Sequence, residues 1–118
     1  MAKLLIISDN ILVIQAVEAR LKSKFLQVLN CSQKESIETI QKERPTHIFI
    51  GEYNEDEIPK DGGATWLEIL EKNLIDREII VRAGHGKYNT PNYLSMPLDM
   101  NELEQFLTEQ SEEQFQST

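Results

Sequence analysis

The chain has 118 residues, of which 40% are hydrophobic, and it carries a net charge of −8. That length gives one domain with a real core and not two, and the acidic balance disfavours generic nucleic-acid binding. The single Cys31 excludes an internal disulfide and fits a reducing, cytoplasmic compartment.

Met1-Ala2-Lys3 leads directly into Leu4-Leu5-Ile6-Ile7. This run is too short for a signal-peptide core and lacks a small-residue cleavage site, so it reads as a strand. It is apolar throughout, as a central parallel strand is, and it stops at Ser8-Asp9-Asn10. Asn10 is an N-cap for a helix from Ile11 to Phe25, where Ile14, Val17, Leu21 and Phe25 recur at helical steps. Leu26 to Leu29 is a second short strand, in a run "LQVLNCS" that makes Cys31 a small buried thiol rather than a reactive one. Ser32-Gln33-Lys34-Glu35 reads as a capping box, with Ile37 and Ile40 on the inner face behind it. Pro45 ends that helix, and His47 to Ile50 is the third strand. His47, which begins it, is expected at the surface or at an edge.

An acidic loop follows, with Glu52, Glu55, Asp56, Glu57 and Asp61. Its carboxylates lack the ordered spacing of a calcium loop, so a solvated loop is the simpler reading than a weak Ca²⁺ site. Gly62-Gly63 opens a helix lined by Trp66, Ile69, Leu70 and Leu74, with Trp66 placed in the core. Ile79 to Val81 is the fourth strand, Gly84-His85-Gly86 breaks it, and "KYNTPN" is turn-like. Tyr93 to Met96 is a short fifth strand. Asp99 and Glu102 form a second capping box, and Met100, Leu103, Phe106 and Leu107 give a helical stripe. Residues after about 110 are polar and expected to fray. The start at Met1 and the polar end at Thr118 suggest a complete small protein, a single domain over 1–118. No stretch approaches membrane-spanning length. "GHG" and "DGG" lack phosphate-loop or dinucleotide spacing, so no cofactor is implied.

Strands alternating with helices give an α/β domain with a parallel sheet, helices on both faces, and a functional crevice at the carboxyl ends of the strands. "KLLIISDN", "PTHIFIG", "IIVRAGHG" and "YLSMPLDMNEL", in that order, resemble the receiver domain of two-component response regulators, a flavodoxin-like five-stranded fold. The resemblance covers nearly the whole chain. It implies a phosphorylation pocket whose acidic pair falls on Ser8 and Asp9, whose acceptor aspartate falls on Gly51, whose Thr or Ser falls on Ala83, and whose Lys falls on Met96. Only Asp9 keeps the family's residue type. Glycine offers no nucleophile, and one carboxylate with one hydroxyl is a poor Mg²⁺ site. The resemblance is therefore to a degenerate receiver, or pseudo-receiver, with no catalytic residue and no metal. Glu52 replaces the missing acceptor only through a bulge or a register shift, since strand side chains alternate.

Ala83 to Met96 spans 13 positions, 96 − 83, with two Gly and one Pro inside it. The family has a longer interval there, so its fourth helix, between strands four and five, is expected to be shortened or missing. This leaves Tyr93, Glu102 and Glu109 as the candidate interaction surface, with Tyr93 packed or at a rim. No Lys or Arg occurs between Asp99 and Thr118, so a docking partner would bring basic and apolar groups. The expected function is a non-phosphorylatable module of a phosphorelay-type signalling system that binds a signalling or regulatory protein, or a second copy of itself, and neither nucleic acid nor membrane. Two alternatives remain: a small flavodoxin-like enzyme or ligand binder using the crevice near Asp9, Glu52 and His85, and a receiver phosphorylated at Glu52. A Ser/His hydrolase built on His85 with Ser8 or Ser95 lacks a nucleophile elbow.

Overall fold

The computed structural model describes residues 2–51, 64–74, 79–84, 93–95 and 98–116, with side chains as far as residue 108. Nine elements follow in order: β1 (Lys3–Ile7), α1 (Ile11–Leu21), β2 (Gln27–Cys31), α2 (Ser36–Glu43), β3 (His47–Gly51), α3 (Trp66–Lys72), β4 (Ile79–Gly84), β5 (Tyr93–Ser95) and α4 (Met100–Gln116). The five strands form one sheet in the order β2-β1-β3-β4-β5, and every pairing is parallel. The sheet and its two helical layers are the α/β arrangement that the alternating elements imply and the flavodoxin-like architecture that the resemblance implies. Four helices are present among the described residues. The interval between Gly84 and Tyr93, where a fourth helix is expected to be shortened or missing, lies outside them.

Alternation along the strands divides the core in two. Leu4, Ile6, Phe49, Val81, Ala83 and Leu94 face α1 and α4, meeting Val17, Leu21, Leu103 and Leu107. Leu5, Ile7, Ile48 and Ile50 face α2 and α3, meeting Ile40, Trp66 and Leu70. The central strands β1 and β3 are buried on both faces, which is why their sequences run apolar without a break. Trp66 is 3% exposed, a core residue as expected.

Local chemistry sets most boundaries. Asn10 Oδ1 accepts from the Leu12 N–H at 3.0 Å and starts α1. Asp99 Oδ1 accepts from the N–H groups of Asn101 and Glu102, at 2.9 and 3.3 Å, and starts α4. Thr65 Oγ1 accepts from the Glu68 N–H at 3.3 Å, so α3 is capped by Thr65 rather than opened by the diglycine. Residue 44 closes α2 in the left-handed region (φ 50°), and Pro45, next in the chain, keeps it out of the right-handed helical basin.

Other boundaries and placements differ from the sequence reading, and β4 runs on through Gly84 rather than ending at Val81. Helix α1 stops at Leu21, and Phe25 reaches the core from a turn instead. Strand β2 begins at Gln27, which leaves Leu26 70% exposed. Helix α2 begins only at Ser36; Ser32 and Glu35 do bond to each other, side chain to side chain at 2.9 Å, but over a turn that precedes the helix. His47 is not a surface residue: it is 4% exposed, and its ring packs edge-on against Phe25 with centroids 4.9 Å apart.

Candidate functional site

The order β2-β1-β3-β4-β5 reverses direction between β1 and β3, and the crevice of such a sheet opens above the strand ends at that point. Ile7 pairs with Ile50, Gly51 with Ala83, and Ala83 with Leu94. Ser8, Gly51 and Ala83 are therefore brought to adjoining places at one end of the sheet, with Asp9 just beyond Ser8.

None of these groups is a free reactant. The Ser8 side chain is 2% exposed, and its Oγ accepts from the Asn10 N–H at 3.1 Å, tightening the turn into α1. The Ser8 N–H donates to the Cys31 carbonyl at 3.1 Å and extends the β1–β2 ladder. Asp9 lies at the surface, but its Oδ1 accepts from the Gln33 N–H at 3.0 Å. The carboxylate thus clamps the β2–α2 loop to the end of β1. Gly51 is buried against a wall: a Cβ there would lie 2.8 Å from Phe49 Cε2 and 3.2 Å from Val13 Cγ1. Ala83 is 0% exposed and contributes a methyl to the core. Cys31, half-buried on the neighbouring strand, has a thiol that burial pushes up to about 11. Among the described residues no group of three or more His, Cys, Asp and Glu comes together as metal ligands.

Solved structures with the same architecture decide the fold. A response regulator receiver domain protein from Methanospirillum hungatei superimposes with a TM-score of 0.75 at 15% identity, over 100% of this chain and 99% of that one. A receiver domain protein from Clostridium thermocellum gives 0.72 at 18% identity, over 100% of both chains. The response regulator PhyR from Brucella abortus gives 0.64 at 16% identity, over 99% of this chain and 52% of that longer one. The fold is that of a response-regulator receiver domain. No protein-family model and no curated protein matches the sequence.

The receiver fold accounts for where the sequence-identified residues fall. Ser8, Asp9, Gly51 and Ala83 gather at the strand ends; Met96 lies outside the described residues, as do Glu52, His85 and the acidic loop. On the opposite edge of the sheet, half-buried Tyr93 packs over the end of β4: a Cβ on Gly84 would lie 2.7 Å from its hydroxyl oxygen. Glu102 is exposed in the first turn of α4, and Glu109 lies further along the same helix. Among the described residues no helix is long and apolar enough to cross a membrane.

The structure also shows a set of polar residues that reasoning from sequence passed over. Gln33 and Ser36 are buried at 4% and 0% exposure. Ser36 Oγ donates to the Gln33 carbonyl at 2.6 Å and accepts from the Trp66 indole N–H at 2.7 Å. The available signal was Ser36 itself, one turn before Ile40 and so on the inner face of α2.

Proposed function

We propose that this receiver-fold chain is a cytoplasmic signalling module that takes no phosphoryl group and acts by binding another protein. The observation that carries the reading is the environment of position 51. The strand end where receivers hold their acceptor aspartate has here a glycine, and the space a side chain would enter is closed by Phe49 and Val13. Position 83 beside it is a buried methyl, and the Asp9 carboxylate is already bonded to the Gln33 N–H. Phosphoryl transfer needs an attacking carboxylate, and a cation with several oxygens around it to offset the charge of the transferring group. Ser8, Asp9, Gly51 and Ala83 supply neither.

Contact with a partner would use the edge of the sheet at β5 and helix α4, where Tyr93, Glu102 and Glu109 stand. An apolar contact supplies affinity there, and the carboxylates supply orientation and on-rate toward a basic partner. The net charge of −8 argues against nucleic acid as that partner.

Incubation with radiolabelled acetyl phosphate and Mg²⁺, beside an active receiver as positive control, tests the first half. Wild type, Asp9→Asn and Glu52→Gln should all stay unlabelled. Labelling of wild type that Glu52→Gln abolishes would move the acceptor to Glu52 and refute the reading. The second half is tested by pull-down with mass spectrometry and by sedimentation for self-association. Tyr93→Ala combined with Glu102→Lys or Glu109→Lys should weaken binding while circular dichroism stays that of the wild type. Undiminished binding by these folded variants puts the interface elsewhere.

A further inference from the structure

Four residues from three segments of the chain are joined by three hydrogen bonds. Asp9, at the end of β1, accepts from the Gln33 N–H at 3.0 Å. The Gln33 carbonyl accepts from Ser36 Oγ at 2.6 Å, and Ser36 Oγ accepts from Trp66 Nε1 at 2.7 Å. The run begins at an exposed carboxylate in the crevice and ends on a core indole at the first residue of α3. We propose that it is a positional coupling, through which any event at the Asp9 carboxylate is transmitted to the first turn of α2 and to Trp66, and so to the α2–α3 face of the sheet. This goes beyond the interaction reading above and does not depend on where a partner docks.

The coupling follows from how α2 is started. The residue at its N-cap, Glu35, makes no side-chain capping bond. Two backbone N–H bonds at its entry are long: Ser36 N–H to the Gln33 carbonyl at 3.3 Å, and Glu35 N–H to Ser32 Oγ at 3.4 Å. The Gln33–Ser36 corner is closed by the short Ser36 Oγ bond to the Gln33 carbonyl, and from outside it is held by Asp9 at 3.0 Å on one side and by Trp66 at 2.7 Å on the other. A helix start held by tertiary anchors moves when an anchor moves. The N–H and carbonyl of Gln33 belong to different peptide planes, so coupling passes through the position of that residue rather than by polarisation along the bonds. Burial makes the position discrete. Ser36 has no exposed surface, and a shift of its hydroxyl costs the desolvation of whatever polar group it leaves. The alternative seat for transmission in this chain, Tyr93 at the β5 edge, is packed over Gly84.

Trp66 is the only tryptophan, so its emission reads the far end of the run directly. In the full-length protein, Asp9→Ala should shift that emission. It should also raise amide exchange at Ser36 to Ile40 on the order of tenfold, the change expected from losing one hydrogen bond to a charged acceptor. Asp9→Asn, which keeps an acceptor oxygen, should stay near wild type, and Glu104→Gln on the opposite face should change neither reading. Urea midpoints of Asp9→Ala, Trp66→Phe and the double variant should be non-additive, whereas sites without shared partners add. Coupling is reciprocal, so Ser36→Ala must raise exchange of the Gln33 amide; that measurement decides the matter should Asp9→Ala not fold. Additive midpoints, or unchanged Trp66 emission in a folded Asp9→Ala, overturn the proposal. So does an unchanged Gln33 amide in Ser36→Ala.

Discussion

Replacing Gly51 by Ala tests the closed pocket with the smallest possible side chain. Among the described residues no glycine has a positive φ, so the backbone at 51 accepts any residue and the outcome is decided by space. The added Cβ would sit 2.8 Å from Phe49 Cε2, where ordinary contact begins at 3.4 Å, so the ring must retreat by 3.4 − 2.8 = 0.6 Å. Phe49 is 0% exposed and packed among Leu4, Ile6, Val17 and Val81. A rigid ring in a close-packed core moves only by displacing its neighbours. Val13 Cγ1, at 3.2 Å, closes the other side. Overpacking of this kind costs about 1–3 kcal/mol. Against it, alanine removes unfolded-chain freedom and returns about 0.4–1 kcal/mol. The net expectation is a loss of roughly 0.5–2 kcal/mol. At this chain length that lowers the melting temperature by about 2–8 °C. Thermal melts and urea midpoints followed by circular dichroism measure it, and a Phe49→Leu background should shrink the loss. Gly51→Asp carries the same clash plus a carboxylate facing the ring, with Ala83 still beside it, so it should form no acyl phosphate. Gly51→Ala as stable as the wild type or more so would show that the space at 51 is open and remove the main physical ground for the functional reading.

Three further outcomes follow from single groups. Burial lowers the pKa of His47 from the ordinary 6.5, so the folded state resists its protonation. The stability this gives is present above 6.5 and is lost as pH falls through the lowered folded value; urea midpoints between pH 7.5 and 5 should show the fall, His47→Phe should lack it, and His85→Gln should keep it. The Cys31 thiol, at about 11 against 9.0 unperturbed, holds roughly a hundredfold fewer thiolates at pH 8 when folded, so iodoacetamide should label the native chain about that much more slowly than the urea-unfolded one. Asn10→Ala removes the cap of α1 and should cost about 1 kcal/mol, read as a lower urea midpoint at unchanged slope.

What the sequence disclosed is what depends on near neighbours. The apolar runs at Leu4 and His47 and the caps at Asn10 and Asp99 need only a few residues to be recognised, and the alternation of strands and helices follows once they are placed. Boundaries drifted where the sheet overrides local pattern. Leu26 belongs to an apolar run, but the ladder with β1 pairs Gln27 to Cys31 and leaves Leu26 outside. His47 was misplaced because a lone polar residue at a strand start says nothing about Phe25 arriving from a turn to cover it. Of the strand-end residues, identity could be read and commitment could not. Asp9 could be placed at the end of β1, but nothing in the sequence marks Gln33, 24 residues on, as the donor to its carboxylate. Ser36 and Trp66, 30 residues apart, carry no joint signature in the chain.

The two faces of the sheet hold their helices in different ways, and this bears on what such a domain can transmit. On the α1–α4 face the helices are held mainly by apolar contact, and among the described residues its ion pairs lie at the rim, where Glu104 pairs with Arg20 at 3.0 Å and Lys24 at 3.6 Å. Rim pairs of this exposure contribute about 0.2–1 kcal/mol and adjust continuously. The α2–α3 face contains a buried serine hydroxyl bonded on both sides, and the Gln33 residue it holds is itself anchored to the crevice. A buried polar arrangement does not slide; it is either made or broken, because an intermediate geometry leaves a desolvated group without its bond. Bistability of that kind is the physical requirement for passing a local event to a distant surface. A chain with glycine at the end of β3 and a methyl at position 83 still has such an element, and it lies on the side of the sheet that Asp9 touches.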